Sequence, residues 1–194
     1  MTRNMQALIK AIAEYPVIAA VKPNENIVRA IKSRSNIIFL LGGSILELGK
    51  EISGVREAGK IVFVHFDLIE GLGRDNTAID YIVRYFKPHG IITTRNNYIR
   101  HARDCGLITV QRTFLLDSKS IESGIDMAIK GNPDMLELMP GVIPKAISDI
   151  RGKVSQPVIA GGMITTVIEM EQALQAGACA ISTSNAELWN MGLT

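Results

Sequence analysis

Small residues and hydroxyls gather at two points late in the chain, Ile159-Ala160-Gly161-Gly162-Met163 and Ser182-Thr183-Ser184-Asn185. Each closes a β-branched, strand-like run and leads into a helix signal. Thr166-x-x-Glu169 follows the first and Ser184-x-x-Glu187 belongs to the second, both in capping-box spacing. Backbone N–H groups at a helix N-terminus are unpaired and carry partial positive charge, so such junctions suit an anion. The chemistry expected of Gly161, Gly162, Thr183 and Ser184 is phosphate binding through main-chain amides.

Other polar residues stand where further strand-like runs end: Lys22, His65 with Asp67, Thr93-Thr94-Arg95, Gln111-Arg112 and Glu137, with Lys145 a little beyond. Cations outnumber carboxylates among them, which suits a dianionic ligand better than a metal. Alternation along a strand then assigns directions. Val62, Val64 and Phe66 form an apolar face that should pack on helices, so His65 and Asp67 point the opposite way, inward. Leu136 and Leu138 set Glu137 inward by the same reasoning. Thr109, Gln111 and Thr113 alternate with Ile108 and Val110, which makes Gln111 the inward polar group and turns Arg112 toward the helix layer. Three roles stay open for His65, Asp67 and Glu137: a hydrogen-bonded polar plug, partners for the hydroxyls of a polyol, or a metal-ligand set.

The elements that must position these residues are legible as eight apolar runs. They are Val17–Val21, Ile37–Leu41, Ile61–Phe66, Gly90–Thr94, Leu107–Thr113, Met135–Leu138, Val158–Ala160 and Cys179–Ser182. Helical stripes fill the gaps: Ile45, Leu48, Ile52 and Val55; Ile79, Ile82, Val83 and Phe86; Val167, Met170 and Leu174. Asp117-Ser118 reads as a helix cap, and Gly59, Gly106 and Gly177 sit where helices should stop. Strand then helix, eight times, predicts a parallel sheet closed into a (β/α)8 barrel of the TIM type. One domain over residues 1–194 is expected, with brief loops and one or two abbreviated helices. Such barrels bind ligands at the C-terminal strand ends and favour phosphate after strands 7 and 8, where the two small-residue turns fall.

Composition narrows the partners. With 47% hydrophobic residues and a net charge of +2 from 21 basic and 19 acidic side chains, the chain is no general nucleic-acid clamp. No apolar run approaches the roughly 20 residues of a membrane span, so a soluble cytoplasmic protein is expected. Cys105 and Cys179, the two cysteines, read as buried thiols of a reducing compartment. Arg95, Tyr98, Arg100, His101 and Arg103 form the best basic–aromatic cluster, read either as a solvated helix face or as an RNA contact. No zinc-ligand spacing, Walker loop or nucleophile elbow is read from the sequence.

Six motifs occur in order: HFDLIEGL from His65, GIITTR from Gly90, QRTFLLDS from Gln111, ELMPGVIPK from Glu137, IAGG from Ile159 and STSN from Ser182. Together they resemble the glycerol-3-phosphate-responsive antiterminators, regulators of bacterial glycerol uptake operons. The resemblance implies a barrel that binds glycerol 3-phosphate and acts on leader mRNA, letting polymerase read through a terminator. In that reading Gly161, Gly162, Thr183 and Ser184 hold the phosphate with help from Lys22 or Arg95. Asp67, Gln111 and Glu137 take the glycerol hydroxyls, and Arg95, Tyr98, Arg100 and Arg103 face RNA. No cofactor or metal is called for, and association with further copies of the chain is left open. The rival readings are an enzyme acting on a triose or sugar phosphate, with Asp67 or Glu137 as acid–base group, and a phosphodiesterase with a metal on His65, Asp67 and Glu137.

Overall fold

Nearly continuous Val, Ile and Leu runs suit strands that are covered on both faces, and eight such runs form the parallel sheet of the computed structural model, which describes residues 3–22 and 27–192. The strands are β1 (Val17–Val21), β2 (Ile37–Leu40), β3 (Ile61–His65), β4 (Gly90–Thr93), β5 (Ile108–Phe114), β6 (Met135–Met139), β7 (Val158–Gly161) and β8 (Ala180–Thr183). They pair in chain order and β8 returns to β1, closing a barrel. Every expected strand is present, with ends shifted by one residue at most.

Helix α1 (Arg3–Glu14) precedes β1, and α2 (Ile27–Lys32), α3 (Ile45–Glu57), α4 (Asn76–Tyr81), α5 (Asn96–Asp104), α6 (Ser118–Gly131), α7 (Pro144–Arg151) and α8 (Val167–Gln175) follow β1 to β7 in turn. Helix α4 runs on into a π-turn over Ile82–Phe86, and β8 is followed by a single 3-10 turn, Leu188–Asn190. The expected abbreviation therefore falls on the eighth helix. Short parallel segments at Gly43–Ser44 and Ile69–Glu70 pair beyond the ends of β2 and β3.

Caps fall where side-chain chemistry places them. Asp117 and Ser120 close a capping box on α6, and Thr166 and Glu169 close one on α8. The stripes Leu48, Ile52 and Val55, and Ile79 with Ile82, are buried against the barrel's outer face. A second outer cluster gathers Leu136, Leu138, Met170 and Ile181. The barrel interior is a separate cluster of Ile18, Phe39, Phe63, Ile92, Val110, Met135, Ile159 and Ala180. Leu8 and Ala11 of α1 join it and stop the N-terminal end of the barrel. No described helix is long and apolar enough to cross a membrane.

Candidate functional site

At the C-terminal ends of the strands the interior changes character. Ile61 and Phe63 point inward on β3, and the next residue of that parity is His65. The same step leads from Ile108 and Val110 to Arg112 on β5, from Met135 to Glu137 on β6, from Ile159 to Gly161 on β7, and from Ala180 to Ser182 on β8. A polar ring of His65, Arg112, Glu137 and Ser182 thus sits on an apolar floor.

The ring is tightly wired. Arg112 and Glu137 are 7% and 1% exposed, and Arg112 Nε donates to Glu137 Oε2 at 2.7 Å. Ser182 Oγ donates to Glu137 Oε1 at 2.5 Å. Both carboxylate oxygens of this buried anion are thereby satisfied, as burial demands. Among the described residues no acceptor pairs with the two Nη groups of Arg112. His65 is 2% exposed and its Nδ1 has no partner among the described residues. Burial, reinforced by the nearby Arg112 charge, lowers its pKa to about 4, so the imidazole is neutral near pH 7.

The β5 assignment reverses the parity expected from sequence. Gln111 faces the helix layer, fully buried, with neither amide atom paired among the described residues. Its neighbours of the same parity explain the face: Thr109 Oγ1 donates to Asp134, and Thr113 packs against Gly124 of α6. Gln111 therefore offers nothing to a ligand in the barrel, and the inward polar group is Arg112. Polar residues on a strand buried on both faces do not mark which face is inside.

Asp67 lies in a 3-10 turn, Phe66–Leu68, beyond the end of β3. Its carboxylate accepts from Thr94 N at 2.7 Å, Thr94 Oγ1 at 3.0 Å and Thr93 Oγ1 at 3.0 Å. It staples the ends of β3 and β4 together. His65, Asp67 and Glu137 do not bring their ligand atoms together as a metal-binding group among the described residues, which corrects the metal reading of that trio. With Glu137 paired and Asp67 stapled, both carboxylates considered for acid–base work are already engaged.

The two small-residue turns stand side by side, since Gly161 and Ser182 are in register on adjacent strands. They are not helix N-termini, however. Helix α8 starts at Val167, and Glu169 Oε2 already accepts from the amides of Thr165 and Thr166. The expected Ser184–Glu187 capping box is absent, because Asn185 Oδ1 accepts from Glu187 N and no α-helix follows. Any anion held here would meet turn amides in place of a helix dipole. Among the described residues, the amides of Gly162 and Ser184 have no protein acceptor. Thr183 is structural through its side chain: Oγ1 donates to Ile164 O and accepts from Asn185 N. Gly161 is needed for space, since a Cβ there would lie 2.7 Å from Glu137 Oε1. Lys22 and Arg95 are exposed at strand ends.

Helix α5 divides the basic cluster. Tyr98 is 4% exposed, stacks edge-on against Phe66 with ring centroids 5.1 Å apart, and donates through its hydroxyl to Arg74 O. It is a core residue, which removes it from any RNA surface. Arg100 and Arg103 line a groove of about 580 Å³ with Asn96, Asn97, Asp104 and Lys130, between α5 and α6. Arg103 is also tied to Asn132 O at 2.6 Å. A second cavity of about 410 Å³ reaches Arg112 from the side of α6.

Comparison with known proteins places this geometry in context. A family described as the glycerol-3-phosphate responsive antiterminators matches residues 17–189. The glycerol uptake operon antiterminator regulatory protein of Listeria monocytogenes has a similar structure, with a TM-score of 0.84 and 33% identity over 90% of this chain and 95% of that one. An antiterminator-related protein from Thermotoga maritima gives a TM-score of 0.77 and 34% identity over 90% and 98%. The uncharacterized protein YgcP of Escherichia coli (strain K12) is 33% identical over 184 residues, 95% of this chain and 96% of that protein. Aldolase barrels also superpose, at 11% to 14% identity, a likeness of fold alone.

Proposed function

The chain belongs to the glycerol-3-phosphate responsive antiterminator family, and from that premise we propose that its barrel mouth binds glycerol 3-phosphate and that the bound form engages leader mRNA. The observation that carries the reading is the polar ring over the apolar floor, in which Arg112 is bound to Glu137 through Nε and, among the described residues, its Nη groups pair with no acceptor. Next to it run the adjacent turns of Gly162 and Ser184, whose amides are free to meet a phosphate, with Lys22 and Arg95 supplying charge. Glu137, Ser182, Arg112 and the neutral His65 then serve the glycerol hydroxyls, each of which needs a donor or acceptor once buried. Asp67 positions the rim.

RNA falls to the groove of Arg100, Arg103 and Lys130, with Arg95 at the N-terminus of α5. Helix α5 starts at Asn96, separated by Arg95 alone from Thr93 and Thr94, which grip Asp67. A ligand that prefers one arrangement of this rim would bias the placement of α5, by no more than its difference in affinity for the two arrangements. The test is calorimetric titration with glycerol 3-phosphate, glycerol and inorganic phosphate, followed by a gel shift of the leader transcript with and without the ester. Tight binding of the ester alone and a shift that requires it are expected. Turnover of the ester, or an RNA shift indifferent to it, would overturn the reading.

A further inference from the structure

On the face of α5 away from the basic groove, three side chains from two helices converge. Asp80, next to last in α4, presents its carboxylate to His101 and Cys105, which lie four residues apart at the end of α5 and so share one side of it. His101 Nε2 is 2.7 Å from Asp80 Oδ1, and Cys105 Sγ donates to the same oxygen at 3.4 Å. Sγ and Nε2 are themselves 3.6 Å apart. All three donor atoms lie within 4.8 Å of one another, and this is the sole such group among the described residues.

The geometry points to a divalent transition-metal site, zinc the first choice, built from Asp80 Oδ1, His101 Nε2 and Cys105 Sγ. Zinc bonds to oxygen, nitrogen and sulfur are about 2.0–2.3 Å, which in a tetrahedron sets donor atoms about 3.4–3.6 Å apart. Two of the three separations already have those values, 3.4 and 3.6 Å. The third, a hydrogen bond of 2.7 Å, opens when the metal replaces the shared proton. One imidazole, one thiolate and one carboxylate form a mixed set that selects zinc, cobalt or nickel over magnesium and calcium, which take oxygen ligands alone. Asp80 and His101 side chains are 57% and 30% exposed, so the fourth position opens to water and the ion has a way in.

The local field agrees. Burial, the Asp80 hydrogen bond and the charges of Asp80 and Asp104 hold the Cys105 thiol above its usual range. The same negative field is what a dication finds favourable, and its arrival makes the thiolate the stable form. Binding converts the Cys105 S–H to a metal–sulfur bond and releases that proton to solvent. His101 bonds through Nε2, where the metal takes the place of the proton shared with Asp80 Oδ1, and the ring keeps its other N–H at Nδ1. The bound ion would pin α4 to α5. The inference stands independently of the ligand reading of the barrel mouth.

The experiment is a titration of the reduced, chelator-treated full chain with Co²⁺, a spectroscopic stand-in for zinc. A thiolate-to-cobalt charge-transfer band saturating at one equivalent, bleached by Zn²⁺, is expected. It should vanish in Cys105→Ser and persist in Cys179→Ser, whose thiol burial holds up to about 11. Loss of a supporting group near a metal costs roughly 10–100-fold in affinity, so His101→Gln should weaken binding by at least that range's lower end. A readout on the unmutated chain covers any variant that folds poorly: Zn²⁺ should slow alkylation of Cys105, located by mass spectrometry. No cobalt–thiolate band, a band that survives Cys105→Ser, or alkylation unaffected by Zn²⁺ would overturn the site.

Discussion

Arg112 and Glu137 face each other in register on β5 and β6, Nε to Oε2 at 2.7 Å, inside the barrel and almost out of reach of solvent. Opposite charges paired this way depend on each other. Removing one partner leaves the other charged and alone in a dry setting, whereas replacing both with apolar groups costs little. Arg112→Met should therefore lower unfolding free energy in urea by about 3–5 kcal/mol. The double variant Arg112→Met/Glu137→Leu should regain most of that and still give no heat with glycerol 3-phosphate. A double variant as unstable as the single one would show that the pair is not a self-contained unit.

Gly161→Ala puts a methyl group 2.7 Å from Glu137 Oε1 and against Ser182 Oγ. Overpacking of this kind costs about 1–3 kcal/mol. Ligand affinity should fall with it, because the carboxylate must move. Chemical denaturation and calorimetry on one preparation would read both, and unchanged affinity would detach Glu137 from the ligand.

At Gly162 a change of charge can be separated from a change of shape. The residue has φ +73°, a left-handed conformation that Asn and Asp tolerate better than most residues, and its Cβ would meet the flexible tip of Met139. Glycerol 3-phosphate at 100 times its dissociation constant should stabilise the native chain by about 2.7 kcal/mol. Gly162→Asn should retain part of that stabilisation in a thermal melt and Gly162→Asp none. Equal behaviour of the two would remove the anion from this turn.

His65 makes stability depend on pH. Its pKa of about 4 in the folded chain lies below that of an ordinary histidine, so the unfolded chain binds more protons between about pH 4 and 6.5. Stability should be full above that window and decline as pH falls through it, by roughly 3 kcal/mol in total. Half-buried His89, its pKa also lowered by desolvation, contributes in the same direction. The difference between the native chain and His65→Gln isolates the His65 share, and parallel pH profiles would refute it.

Arg100→Ala/Lys130→Ala strips two cations from the α5–α6 groove and leaves the Arg103 bond to Asn132 in place. Binding of leader RNA should weaken uniformly, and the slope of log K against log salt should shrink by about 2. Glycerol 3-phosphate binding should be untouched. An unaltered slope would move the RNA elsewhere on the molecule.

Much of the barrel is legible because closure and alternation impose simple patterns. Eight apolar runs at regular intervals leave little topological choice, and Phe66, Val64 and Val62 orient His65 correctly. The β5 assignment fails for a physical reason. Both faces of that strand are buried, so Thr109 and Gln111 are no guide to the inside. The missing clue was Glu137, since an inward carboxylate needs a cation and the adjacent strand supplies Arg112 in register. Tyr98 was readable in the same way: with Ile99 and Ala102 it forms the buried face of α5, and the arginines lie off that face.

The turns after β7 and β8 were located but misread in kind. Glu169 takes the amides of Thr165 and Thr166, as its capping box foretold, and Asn185 takes that of Glu187, so the amides of Gly162 and Ser184 belong to turns and not to helix ends. The Asp80–His101–Cys105 group lay beyond reach. The spacing of His101 and Cys105 is visible on one helix, but Asp80 comes from another, and the two meet in space alone.

Leu8 and Ala11 stopper the N-terminal end of the cylinder, which leaves the polar ring to be approached from the C-terminal side, over the rim or along α6. A ligand of the proposed kind would pass the rim that carries the polar ring and the head of α5. On the proposed function, whatever rests on that rim would double as a cork: a bound macromolecule would slow escape of the small molecule beneath it without adding a contact to it. Residence time, more than affinity, is what such a vessel lends to a signal.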